Sequence, residues 1–186
     1  MTIYIALLRG INVGGKNIIK MAELKRTFEA MNLSRVQTYI QSGNVLFESE
    51  EEKESLRRRI EHEIEVAFGF AVTVVLRTAE ELKRIVANCP FSEEEVSEAK
   101  ASSEGESLYV SFLLEESSKE GIERLGAFKS NGEEYRIVGR EVFLLFSHSI
   151  RNSKLANNLQ KLDVPATMRN WKTTNKLVAL ASAMEI

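Results

Sequence analysis

The stretch VQTYIQSGNVLF, residues 36–47, decides the fold. Val36 to Ile40 and Val45 to Phe47 are runs of β-formers, and Gln41-Ser42-Gly43-Asn44 between them is turn chemistry, so the segment predicts an antiparallel hairpin. Before it, Met21, Leu24, Phe28 and Met31 recur at spacings of three and four, the apolar stripe of an amphipathic helix. Earlier still, IYIALLR at 3–9 is an apolar run of strand length. After the hairpin, Leu56, Ile60, Ile64 and Phe68 mark a second helix, and Ala71 to Leu76, with its Val-Thr-Val-Val centre, marks a fourth strand. The order β-α-β-β-α-β is that of the ferredoxin-like fold. Its two right-handed crossovers lay both helices on one face of an antiparallel sheet.

The order then recurs. Thr78-Ala79-Glu80-Glu81 has the form of a capping box and starts a connecting helix that runs to about Asn88, before Pro90. SEEEVSEAKASSEGE, from Ser92 to Glu106, is almost without large apolar residues and reads as a linker or an exposed excursion. Ser107 to Leu113 is a strand, and Ser117-Ser118-Lys119-Glu120 caps a helix carrying Ile122 and Leu125. Tyr135 to Val138 and Val142 to Phe146 form a second hairpin, in which Tyr135 precedes Gly139 by four residues as Tyr39 precedes Gly43. Leu155, Leu159 and Leu162 predict a helix, Ala166 to Met168 a short strand, and Leu177, Leu180, Ala181 and Met184 a last helix. The expected fold class is α+β, a tandem pair of ferredoxin-like (βαββαβ) subdomains with antiparallel sheets. The first spans 1–90, a linker 91–106, and the second 107–186.

Composition narrows the chemistry. A single cysteine, Cys89, rules out an intramolecular disulfide and any multi-cysteine metal site. The acidic residues are 26 Glu and the lone Asp163, and the two histidines, His62 and His148, lie far apart in sequence, so no metal site is expected. The apolar start TIYIALL is too short for a membrane span or a secretory segment, so a cytoplasmic protein without a membrane partner is expected. Net charge is uneven: residues 1–47 carry +4, 48–135 carry −11 and 136–186 carry +5. The two basic ends either meet to attract an anionic ligand or are simply solvated charge.

Three segments carry candidate chemistry. GINVGGKN, from Gly10 to Asn17, nearly matches the phosphate-cradling GxxxxGK[ST] signature, with Gly10, Gly15 and Lys16 in register after a strand. It fails at the last position, where Asn17 replaces the hydroxyl that would reach Mg²⁺, and Ile18-Ile19 delay the helix, which argues against an ATPase or GTPase. Arg9, Asn12, Gly14, Gly15, Lys16 and Asn17 can still form an anion-binding loop, or a loop that needs glycine for its backbone angles. Gln41, Ser42, Gly43 and Asn44 either line the same ligand site or make a turn. TMRNW, 167–171, groups Arg169, Asn170 and the only tryptophan, Trp171, suited to a stacked or bidentately bound ligand or to core packing.

LLRGINVGGKN at 7–17, TYIQSGNVLF at 38–47, SKL at 153–155 and TMRNW at 167–171 together resemble a bacterial family of uncharacterised proteins, domain-of-unknown-function family 1697. The resemblance implies two ferredoxin-like α+β subdomains in tandem and brings no activity, cofactor or catalytic residue. Cys89 before Pro90, Lys172 after the RNW block and a glycine-free Ser147 to Asn152 depart from the family pattern.

The leading expectation is a binding protein for a phosphate-bearing ligand, a nucleotide, RNA or another anion, at a basic site between the subdomains. Its ligand-binding residues are those of the two N-terminal segments together with Lys154, Arg169, Asn170 and Trp171. Two other functions fit the same residues. One is an enzyme acting on a small phosphorylated or carboxylated metabolite through Lys16 and Arg169. The other is a structural module with no ligand.

Overall fold

The computed structural model describes residues 1–103 and 105–186. In chain order the elements are β1 (Thr2–Leu8), α1 (Met21–Ala30), β2 (Ser34–Tyr39), β3 (Asn44–Ser49), α2 (Lys53–Phe68), β4 (Val74–Thr78), α3 (Ala79–Ala87) and α4 (Glu93–Ala101). Then come β5 (Leu108–Leu113), α5 (Lys119–Gly126), β6 (Glu133–Val138), β7 (Glu141–Phe146), α6 (Lys154–Asn157), β8 (Ala166–Asn170) and α7 (Trp171–Met184). Single 3₁₀ turns at Ile150–Asn152 and Leu159–Leu162 flank α6. The chain divides into two units, one formed by Met1–Arg84 with Lys176–Ile186, the other by Ile85–Asn175.

In the first unit four antiparallel strands stand in the order β2-β3-β1-β4. The register sets Tyr4 against Phe47 and Ala6 against Val45, so the period of two carries Tyr4, Ala6, Leu8, Val45, Phe47, Val74 and Leu76 to one face. Leu24 and Phe28 of α1 and Leu56, Ile60 and Ile64 of α2 cover that face and are wholly buried. Phe47 stacks on Tyr4 and meets Phe28 edge-on. The alternate residues Ile5, Leu7, Leu46 and Val75 are buried as well, which is why β1 reads as an unbroken apolar run rather than an alternating one. Gly69, in the left-handed conformation, stops α2 where the apolar stripe ends.

The second unit carries the order β6-β7-β5-β8, again all antiparallel. Leu113, Val142, Leu144 and Phe146 pack with Leu125, Leu155 and Leu162. Ser118 caps α5 by accepting from the Gly121 amide at 3.1 Å, as its sequence predicts. The predicted box at Thr78 forms in full: Thr78 Oγ1 accepts from the Glu81 amide and Glu81 Oε1 accepts from the Thr78 amide.

Two elements differ from the sequence expectation. The segment read as a linker contains α4, begun by a reciprocal capping box between Ser92 and Glu95. Ala99 is the only fully buried side chain of α4, so the helix carries almost no apolar stripe. The helix expected through Leu155, Leu159 and Leu162 is broken at Asn157-Asn158. Asn158 turns its side chain back to the Lys154 carbonyl at 2.7 Å, and the chain continues as a 3₁₀ turn.

The fourth strands share a detail. Arg77 in VVLRT and Arg169 in ATMRN each occupy the fourth position, are 1% and 6% exposed, and donate from Nη1 to the carbonyl of the preceding residue. In each strand the next residue caps a helix: Thr78 for α3, and Asn170, which accepts from the Thr173 amide at 2.8 Å, for α7.

Candidate functional site

The loop leaving β1 folds on itself as a miniature hairpin. Gly14 and Gly15, at φ +59° and +72°, make its two-residue turn; Lys16 N donates to Val13 O at 3.1 Å and Asn12 N to Asn17 O at 3.1 Å. Two successive positive φ values define the turn type that matches strand twist, and glycine adopts them without strain. The loop therefore does not lead straight into a helix. Asn17 is itself left-handed, and α1 opens only at Met21 with no side-chain cap at Lys20, so no helix N-terminus stands behind Lys16 as a phosphate cradle requires.

Asn12 locks this hairpin to the turn of residues 41–44. Its Oδ1 accepts from Ile19 N at 2.8 Å, and its Nδ2 donates to Ile19 O at 3.0 Å and to Gln41 O at 2.8 Å. Ile11 and Ile19, 2% and 1% exposed, anchor the two arms in the first unit's core. Asn17 Nδ2 donates to Gly10 O, Leu8 N to Gly43 O and Arg9 N to Thr73 O. In the adjoining turn the wholly buried Asn44 donates to Tyr39 O at 2.8 Å and to Ser42 Oγ at 3.0 Å. Gly43 sits at φ +87° where any Cβ would collide with Ile11.

The amides of Asn12, Asn17 and Asn44 are thus engaged in holding the loop and turn. The exposed groups left on it are cationic and apolar: Arg9, Lys16 and Lys20, with Val13 at 66% and Ile18 at 64%. None of the three cations forms an ion pair among the described residues. The first two of the sequence's candidate segments therefore come together in space, bridged by Asn12.

The remaining candidates lie in the second unit. Lys154 is exposed at the start of α6. Arg169 is buried, donating to Thr167 Oγ1 and Met168 O, each at 2.8 Å, and burial brings its guanidinium down to about 10. Asn170 caps α7, and Trp171 is half-buried with its ring tilted against Phe143. Ser153 of the SKL block caps α6 through the Ala156 amide and donates to the buried carboxylate of Glu133.

Glu133 is the centre of a cluster that sequence spacing did not indicate. Burial pushes its carboxyl up, but hydrogen bonds from Ser153 and from the hydroxyl and amide of Ser130, with His148 Nε2 at 3.6 Å, hold it below the usual carboxylate range. The Ser153 hydroxyl is engaged on both sides, which suits a structural role rather than a nucleophile. Burial also pushes the Cys89 thiol up, away from thiolate chemistry. Among the described residues no group of three or more His, Cys, Asp or Glu could hold a metal ion, and no helix is long and apolar enough to cross a membrane.

These features define an α+β protein of two four-stranded antiparallel sheets, with a rigid basic hairpin built onto the first. The chain belongs to the family described as protein of unknown function DUF1697, whose model matches residues 1–143. Among solved structures it is similar to the conserved bacterial protein SP0830 from Streptococcus pneumoniae. The two are 26% identical with a TM-score of 0.73, over 98% of this chain and 99% of that one. No curated protein matches the chain.

Proposed function

We propose that the chain is a tandem pair of ferredoxin-like sandwiches whose first hairpin binds a phosphate-bearing ligand, a nucleotide or RNA, through Arg9, Lys16 and Lys20. The tandem reading is supported by the matching strand orders and by the equivalent places of Arg77 and Arg169. The binding reading rests on one observation: three exposed cations without ion pairs stand on a loop whose asparagine amides are committed to holding its shape. Such a loop loses little conformational entropy on binding. Val13 and Ile18 add apolar surface for a base or ribose.

Fluorescence anisotropy of a labelled single-stranded RNA, with ATP and inorganic phosphate as competitors, tests the reading at two salt concentrations. Binding should weaken with salt and lose roughly one unit of logarithmic salt slope for each contacting cation replaced by alanine. Unchanged affinity in the triple variant Arg9→Ala, Lys16→Ala, Lys20→Ala would refute it. The structural-module alternative draws on the same hydrogen bonds and predicts no binding of any anion by the wild type.

A further inference from the structure

A cavity of about 200 Å³ opens in the second unit. Its walls are Val96 of α4, Leu108 of β5 and the indole of Trp171 at the start of α7. Lys100, Lys172 and Glu106 complete the lining together with Ser107. Ser107 is 3% exposed, and its hydroxyl is the buried side-chain oxygen that has no hydrogen-bond partner among the described residues. Buried hydroxyls are almost always paired, so an orphaned one beside a cavity asks for a group that the chain itself does not supply. Its backbone cannot turn away, because the Ser107 carbonyl accepts from Phe146 N at 2.9 Å.

We propose that this cavity is a second binding site, for a small carboxylate with a flat apolar body. The body lies against Trp171, Val96 and Leu108, the Ser107 hydroxyl rotates out of the wall to donate to the carboxylate, and the Lys100 and Lys172 ammoniums at the rim balance its charge. Three features favour an anion. Two lysines outnumber the one glutamate, both lysines are solvent-exposed and so enter no buried pair, and α7 presents its positive N-terminal end from Trp171 onward. Glu106 leaves a place for one hydrogen-bond donor on the ligand, such as an α-amino group. The volume is below the roughly 300–1,000 Å³ of drug-sized sites, which suits a ligand of on the order of ten non-hydrogen atoms.

Trp171 is the only tryptophan, so its fluorescence reports on this cavity alone. Titration with phenylacetate and phenylalanine should give a saturable change in indole emission, and benzylamine, which has the body without the carboxylate, should give none. Ser107→Ala and Lys172→Ala should each weaken binding about tenfold, the effect of losing one charge-assisted hydrogen bond. Val96→Phe, which fills the cavity, should abolish the change while leaving the melting temperature within a few degrees. Lys16→Ala should leave it intact, which separates this site from the hairpin loop. A linear, unsaturable response to all three probes, or a saturable one that survives both Lys172→Glu and Val96→Phe, would overturn the proposal.

Discussion

Gly43→Ala should destabilise the first unit far more than the same change at Gly14, and the difference can be worked from the structure. Both glycines have positive φ, +87° and +59°, where an L-residue costs roughly 1–2 kcal/mol. Reduced freedom of the unfolded chain returns roughly 0.4–1 kcal/mol in each case. Nothing stands within 4 Å of a Cβ at Gly14, so its net cost is about 1 kcal/mol or less. At Gly43 the Cβ would lie 2.6 Å from Ile11 Cδ1 and 2.9 Å from Leu8 Cβ. Ile11 is 2% exposed, and Leu8, whose Cβ cannot rotate aside, is fixed by the hydrogen bond from its amide to Gly43 itself. Overpacking of this kind adds about 1–3 kcal/mol, for a net cost of roughly 2–4 kcal/mol. With a urea slope of about 1–3 kcal/mol per molar, the midpoint should fall by on the order of 1 M for Gly43→Ala and by a fraction of that for Gly14→Ala. Urea titrations followed by far-ultraviolet circular dichroism measure both. Equal shifts, or a Gly43→Ala shift accompanied by a changed slope, would refute the claim that Ile11 and Leu8 are seated against this turn.

Asn12→Asp should cost more than Asn12→Ala, by about 1–2 kcal/mol in the same titration, because a carboxylate would face the carbonyls of Ile19 and Gln41 that the amide now satisfies. Glu133 has its folded-state pKa held below the ordinary value, so its contribution to stability is present at neutral pH and lost as pH falls through the folded pKa. Glu133→Gln should accordingly melt lower than wild type at neutral pH and approach it as pH falls below the ordinary carboxylate range, and a gap that widens in acid would reverse the sign of the argument. Arg169→Ala should destabilise by about 3 kcal/mol or more, since it empties a large buried volume and strips the donor from Thr167 Oγ1 and Met168 O. Lys16→Ala, at an exposed position, should stay within about 0.5 kcal/mol of wild type, so thermal melts of the two variants separate a fold residue from a candidate ligand residue.

The strands of the first unit and its helices α1 and α2 were legible because burial there follows simple periods: three or four residues for Leu24, Phe28, Leu56, Ile60 and Ile64, and a short unbroken apolar run for β1. Where an element buries little, period fails as a signal. α4 hides only Ala99, so its charged run reads as a linker, although the spacing of Ser92 and Glu95 already has the form of a capping box. The break at Asn157-Asn158 was invisible to a reading that followed Leu155, Leu159 and Leu162 alone. Arg77 carries no clear sequence signal for a related reason. One charged residue inside VVLRT looks like a tolerated exception until it is set beside ATMRN, where arginine holds the same place before a helix cap.

The polar residues that stand out in the sequence divide into two groups that sequence cannot separate, because the division depends on contacts between residues far apart in the chain. Asn12 reaches Gln41 across 29 positions, and Ser153 reaches Glu133 across 20. Asn12, Gly43, Asn44, Ser153 and Asn170 each have a full account in the fold: a bridge, a close approach, a buried amide and two helix caps. Arg9, Lys16 and Lys20 have none, since removing any of them leaves every hydrogen bond of the hairpin's amides and carbonyls in place. Solvation alone accounts for charge on this loop, but not for the hydrogen bonds that lock the hairpin carrying it, with Val13 and Ile18 exposed between the cations. Under the proposed reading a ligand with charged and apolar parts covers both, and for this reason the hairpin, rather than the buried Arg169, is the first place to test for binding.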